Sequence, residues 1–393
     1  LGSGPPMEAL TRRDRTPPTA WSRYFRTARP ALASVGVAVL AGCSMVATPD
    51  SPTVPGARQA SAGPVGYVVC PTAVTPVELR TRTPEAPIPL PVGGTPPLGD
   101  FAVTASPDGR WAFVVTQSTP PGRPTTNVLV PVDLATQRAA RPITLPGHGA
   151  TSAVVVMHGN RTVLAASGTT IVPVDIATRA VGTPLDLGPG RTVVGLALSP
   201  TSPILYVLVA GGVVPVDTAT ATAGPPIATG LTVSSVSSPH GLIVSADGST
   251  LYVAGQGPPD YGGRVVPVTT ATGAVGAPTG FDRFGISDPA ALALTPDGSQ
   301  LLVADSADNW IDTVPVADFA NPLLPVRLPS GGTTAAASGT DHPTDIVTGP
   351  GATGAFVVTG HGTVLPYDPA HRTFGRAVRV CSGASSMTVG GTA

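Results

Sequence analysis

"VVPVDTAT", residues 213–220, reads as a β-strand running into a tight turn, yet its third residue is proline. Proline has no backbone N–H to give to a sheet ladder and is rare inside strands. The string nevertheless recurs. Pro131 lies in "VLVPVDLAT" (128–136), Pro173 in "TIVPVDIAT" (170–178) and Pro267 in "RVVPVTTAT" (264–272). Pro315 lies in "DTVPVADFA" (312–320) and Pro366 in "TVLPYDPA" (363–370), and a divergent first copy, "AVTPVELRT" (73–81), carries Pro76. The spacings run from 42 to 55 residues.

Each unit contains the same parts. An apolar run ends in an Asp-Gly turn: "FAVTASPDG" (101–109), "GLIVSADG" (241–248), "ALALTPDG" (291–298). Such ends are tight hairpin turns. A second strand follows, as in "WAFVV" (111–115), "LYVAG" (251–255) and "LLVAD" (301–305). The proline string is third. A short fourth strand closes the unit, as in "RPITL" (141–145), "GPPIA" (224–228) and "LLPVRL" (323–328). A unit of this length built only from strands and turns marks a propeller rather than a helical solenoid. The expected fold is all-β: a seven-bladed β-propeller of four-stranded antiparallel blades. The pattern resembles YVTN-type repeat proteins over about residues 66–393. That resemblance implies the fold and says little of function.

The proline is expected to turn its missing N–H toward the fourth strand, where pairing is already short. Pro142, Pro184, Pro226, Pro278 and Pro325 mark that outer strand too. Proline on an outer edge blocks edge-to-edge aggregation. Closure is expected in a shared N-/C-terminal blade: "GYVVC" (66–70) supplies a second strand and "SSMTV" (385–389) the first. Cys70 and Cys381 would then meet on one rim and form a disulfide, the alternative being two buried, inert thiols.

The N-terminal part reads as an address. Arg12, Arg13, Arg15, Arg23, Arg26 and Arg29 precede the short apolar run "ALASVGVAVLAGC" (31–43). This is a basic region and a core too short to span a membrane comfortably. Leu40-Ala41-Gly42-Cys43 resembles the bacterial lipobox, which implies lipid on Cys43; a plain signal peptide with a coincidental cysteine is the alternative. Residues 1–43 are thus read as a lipoprotein signal region, 44–65 as a Pro/Ser/Ala-rich tether and 66–393 as the propeller. The expected location is the outer face of a bacterial cell membrane, held by lipid only.

Composition narrows the chemistry. Net charge is −1, which offers no broad attraction to nucleic acid. All 22 basic residues are arginine, so lysine Schiff-base chemistry and a P-loop lysine are excluded. No H-E-x-x-H, G-x-S-x-G or C-x-x-C-H motif occurs, and no cofactor or metal is expected.

Long connections gather on one rim, where binding residues usually reside. The candidates there are His240, Arg264, Asp282, Arg283, Asp288, Asp341, His342 and Asp345. "DHPTD" (341–345) offers carboxylates and an imidazole, although the same residues form ordinary turns. "DSADNWID" (305–312) lacks the glycine and ligand spacing of a calcium loop and reads as a solvated hairpin. The leading reading is a monomeric binding or scaffold module for an envelope protein, peptide or polymer. The alternative is a propeller lactonase acting on a small cyclic ester, which needs Asp, His and Arg converging on the axis.

Overall fold

The computed structural model describes residues 63–93, 101–233, 241–258, 262–279, 288–329, 342–349 and 354–390. These form seven antiparallel sheets of four strands each, three of them with a split outer strand. Blade 1 pairs Val65–Cys70 with Ala73–Glu78 and takes its inner strand, Ser386–Gly390, from the C-terminus. Blades 2 to 7 follow in chain order, with inner strands Ala102–Ala105, Val154–Val156, Val193–Leu198, Leu242–Val244, Pro289–Leu294 and Pro343–Thr348. The shared blade was legible in the sequence, and so was its bolt. Cys70 and Cys381 form a disulfide with their Cα atoms 6.3 Å apart.

Each blade junction carries its own hydrophobic cluster, so the core is a ring rather than a centre. Alternation along the strands builds it, because successive side chains point to opposite faces. At the 1–2 junction, Tyr67, Val69 and Val74 meet Val103, Val114 and Val130. At the 7–1 junction, Val358 and Val364 meet Val68, Val77 and Met387.

The proline occupies one slot in six blades. Pro76, Pro131, Pro173, Pro215, Pro267 and Pro366 stand opposite Tyr67, Phe113, Leu164, Tyr206, Tyr252 and Phe356 of the second strand. Each proline carbonyl accepts an N–H from the outer side, from Glu85, Ala140, Gly182, Gly224, Gly276 and Gly375, at 2.7–2.8 Å. In a strand the N–H and C=O of one residue share a side. The missing N–H therefore faces the outer strand, whose ladders are only two residues long, and the second-strand ladder is intact.

Blade 6 differs from the expectation. Its slot is filled by Thr313, which stands opposite Leu302 and accepts the Leu323 N–H. Pro315 lies two residues later, at the strand end, and leads into the short 3-10 turn Val316–Asp318. Its fixed φ of −63° suits that exit.

The Asp-Gly hairpins repeat one device. Asp108, Asp247 and Asp297 each accept the N–H two residues on and the hydroxyl two residues back. Gly109, Gly248 and Gly298 supply φ values of 65–73°. Hydroxyls of Ser245 and Thr295, followed by the Ser249 and Ser299 backbone N–H groups, hold Asp247 and Asp297 at a pKa of about 2.

Candidate functional site

Strand direction defines two rims. Turns between first and second strands and between third and outer strands share the hairpin rim. Links between second and third strands, and from blade to blade, share the loop rim. From the sequence, the candidates are expected on the loop rim. His240, Asp282, Arg283 and Asp341 lie outside the described residues.

The remaining four candidates are not gathered on one accessible surface. Arg264 lies inside the third strand of blade 5, opposite Gly255, and is only 8% exposed. It read as the end of a loop, but the strand already starts at Gly262. Asp288 is half-buried and accepts the Ser306 hydroxyl at 2.7 Å. His342 is half-buried, and its carbonyl accepts the Gly360 N–H at 3.0 Å. Asp345 is fully buried in the inner strand of blade 7, so it is not a turn residue. Its carboxylate accepts the N–H of Ile346 and, across the ring closure, that of Met387, each at 2.8 Å. Asp345 thus ties the inner strand of blade 7 to that of blade 1.

The segment 305–312 also departs from expectation, because two of its aspartates are buried rather than solvated. Asp305 is fully buried, and its Oδ1 accepts N–H groups from Asp288, Ala307 and Asp308 at 3.1–3.4 Å. Asp312 is 2% exposed, and its Oδ2 has no hydrogen-bond partner. It pairs with Val303, whose side chain packs in the cluster between blades 5 and 6, so Asp312 faces blade 5. Burial first, then the charges of Asp305 and Asp308, push its pKa up to about 8. Such a carboxyl is neutral at pH 7, but it is shut away from solvent. Among the described residues no group of His, Cys, Asp and Glu is arranged to hold a metal ion.

The axial channel holds a cavity of about 190 Å³ walled by inner strands. Val103, Val155, Leu196 and Val347 line it together with Thr104, Thr348 and Thr388. Two of these hydroxyls link neighbouring blades. Thr348 donates to the Leu294 carbonyl at 2.9 Å, and Thr388 accepts the Ala105 N–H at 3.2 Å. Among the described residues, this cavity is walled by aliphatic and hydroxyl side chains and carries no carboxylate, imidazole or guanidinium.

Sequence reasoning missed a groove of about 600 Å³ at the hairpin rim, across the seam of blades 7 and 1. Arg80, Arg82, Leu79, Phe356 and Pro366 are among its lining residues. The signal was present. Where blades 2, 3 and 4 read Asp-x-Ala-Thr after the third strand, blade 1 reads Glu78-Leu79-Arg80-Thr81-Arg82.

No family model matches the chain, and no curated protein matches it significantly. Solved structures do. A chain of Kuenenia stuttgartiensis hydrazine synthase is 14% identical, covers 79% of this chain and 90% of its own length, and superposes with a TM-score of 0.58. A chain from a nidogen/laminin complex is 12% identical over 67% of this chain and 95% of its own, with a TM-score of 0.49, and adds nothing further. At such identities the likeness is one of fold, and the fold is the β-propeller.

Proposed function

We propose that this chain is an exported, lipid-anchored propeller that binds an envelope protein, peptide or polymer through its loop rim. The difference between the rims carries the reading. Hairpin-rim turns are short and repeat the same capping devices, whereas connections such as 228–241, 276–288 and 328–342 are long and unlike one another. A rigid ring whose long, dissimilar loops gather on one rim is the usual arrangement for recognition. The Cys70–Cys381 disulfide suits an oxidising compartment outside the cytoplasm. The aliphatic channel wall favours binding over turnover at the axis. Lipid on Cys43 and a YVTN-type repeat identity belong to the same proposal.

The test is cross-linked capture from envelope extract by the intact chain, alongside an Arg283→Ala/His342→Ala variant. One dominant partner, lost with the variant, is expected. Equal capture by both would refute this rim as the binding face. Labelling with a radioactive fatty acid tests the anchor: Cys43→Ser should abolish incorporation.

A further inference from the structure

The hairpin rim is polarised in charge. Arg80, Arg82, Arg110, Arg138, Arg161 and Arg179 are all exposed, and all lie in the turns of adjacent blades 1, 2 and 3 or beside them. None of them forms an ion pair among the described residues. The arc also holds five acids, Glu78, Glu85, Asp108, Asp133 and Asp175, which leaves it one positive charge in excess, and they are held in or beside the turns by local hydrogen bonds. Glu78 accepts the N–H groups of Arg80 and Thr81, Asp133 those of Ala135 and Thr136, and Asp175 that of Thr178. Across the ring, the same turns of blades 4, 5 and 6 carry Asp217, Asp247, Asp297 and Asp318, with no arginine or histidine.

Two further observations bear on what the arc faces. Val65, the first residue of blade 1, sits on this rim opposite Glu78 and Gly390, so the 62 residues before Gly63 join the ring beside the arc. Trp111 is half-buried at the same rim, with the Arg110 guanidinium 5.8 Å from its ring centroid. Tryptophan and arginine each carry an apolar body and a polar tip, a combination suited to a bilayer interface. The groove between Arg80, Arg82, Leu79 and Phe356 gives a headgroup a recess as well as a flat contact.

We propose that this arginine arc seats the propeller on an anionic phospholipid surface, with the hairpin rim toward the lipid and the loop rim away from it. The exposed guanidinium groups at the turn tips are attracted to lipid phosphates, in competition with the Glu78 and Asp175 carboxylates beside Arg80 and Arg161, while the acidic half of the rim tilts the ring up on blades 4 to 6. The orientation rests on the anchored reading of the N-terminal segment only for its biological setting. The arc itself binds anionic lipid whether or not Cys43 is modified.

The intact chain is mixed with vesicles of phosphatidylcholine alone, or with about one third phosphatidylglycerol, at low and high salt. Each arginine near such a surface is worth roughly fivefold in partitioning. Arg82→Gln/Arg110→Gln/Arg138→Gln should therefore weaken anionic-vesicle binding by about a hundredfold at low salt. Arg123→Gln/Arg327→Gln/Arg379→Gln, on the loop rim, changes net charge equally and should leave it nearly intact. Equal losses in both variants, or none in either, would overturn the proposal. Binding to neutral vesicles reports the apolar N-terminal segment separately, so failure of the anchor and failure of the arc are distinguishable. Orientation has built-in probes: in a Trp21→Phe background, headgroup-labelled quenching lipids should quench Trp111 several-fold more than Trp310, and equal or reversed quenching would refute it.

Discussion

Asp312 offers the sharpest test of how this ring is held together. The residue just before the proline slot is Thr75, Val130, Val172, Val214, Val266 and Leu365 in the other blades, and Asp312 in blade 6. Asp312→Val therefore installs what the fold uses elsewhere. The folded carboxyl holds its proton up to about pH 8, through burial and the nearby Asp305 and Asp308 charges. An unfolded aspartate releases its proton near ~3.9. Between those values the native state binds the extra proton, so wild-type stability falls as pH rises and levels off above the folded pKa. At about 1.4 kcal/mol per pH unit, the loss from pH 5 to 8 is about 4 kcal/mol at most, and about 2 if the interior relaxes around the charge. Urea denaturation of both proteins at pH 5, 6.5 and 8 measures it. The valine variant should be the more stable, and its advantage should grow by that amount over the range. A difference that stays flat with pH would refute the buried, protonated carboxyl. Asp312→Asn, uncharged throughout, should abolish the slope even if its amide costs a constant offset.

Other substitutions probe closure and the proline slot. Cys70→Ser removes a bond between residues 311 apart in sequence and should cost roughly 2–5 kcal/mol, read as a lower melting temperature that reductant no longer changes. Asp345→Ala strands the buried Met387 N–H and should cost about 1–3 kcal/mol, with faster hydrogen exchange at that amide; unchanged exchange would show that the clamp is idle. Thr313→Pro places proline in the one slot that lacks it and should change stability by no more than about 1 kcal/mol, whereas Val314→Pro faces the second strand and should cost about 3 kcal/mol or more. Similar losses for both would overturn the N–H direction assigned to the slot.

The blades were legible because the repeat forces the same hydrophobic alternation and turn chemistry through every unit. The error at Pro315 shows the limit of matching a string. "VPV" was present, but register is set by pairing, and Leu302 pairs with Thr313. The two buried aspartates failed to show for a related reason. "DSADNWID" is polar on its face, and only its parity against Ile311 and Val314 reveals that Asp312 points into a junction. Arg264 was misplaced because glycines read as loop while Gly262 and Gly263 continue the strand. The candidates His240, Asp282, Arg283 and Asp341 lie outside the described residues, so the site as a whole stays a proposal drawn from sequence and topology. The arginine arc was not sought, because single arginines in separate turns carry no linear motif; the ring brings them side by side.

The placement of the costly groups separates the two rims once more. On the hairpin rim the acids stand in the turns and accept backbone N–H groups. Below the loop rim, in blades 6 and 7, three aspartates are buried: Asp305 and Asp345 compensated by backbone N–H groups, Asp312 with one oxygen bare. Stability alone would fill position 312 with an apolar side chain, as five blades do and a sixth nearly does with Thr75. A sequence that breaks its own repeat at a cost does so most often where function sets the demand. Capture by the Asp312→Val variant therefore decides between two origins for the charge. Weaker capture, in a protein that is more stable, would tie Asp312 to the working shape of the loop rim. Unchanged capture would mark it as a tolerated defect and leave recognition to the loops alone.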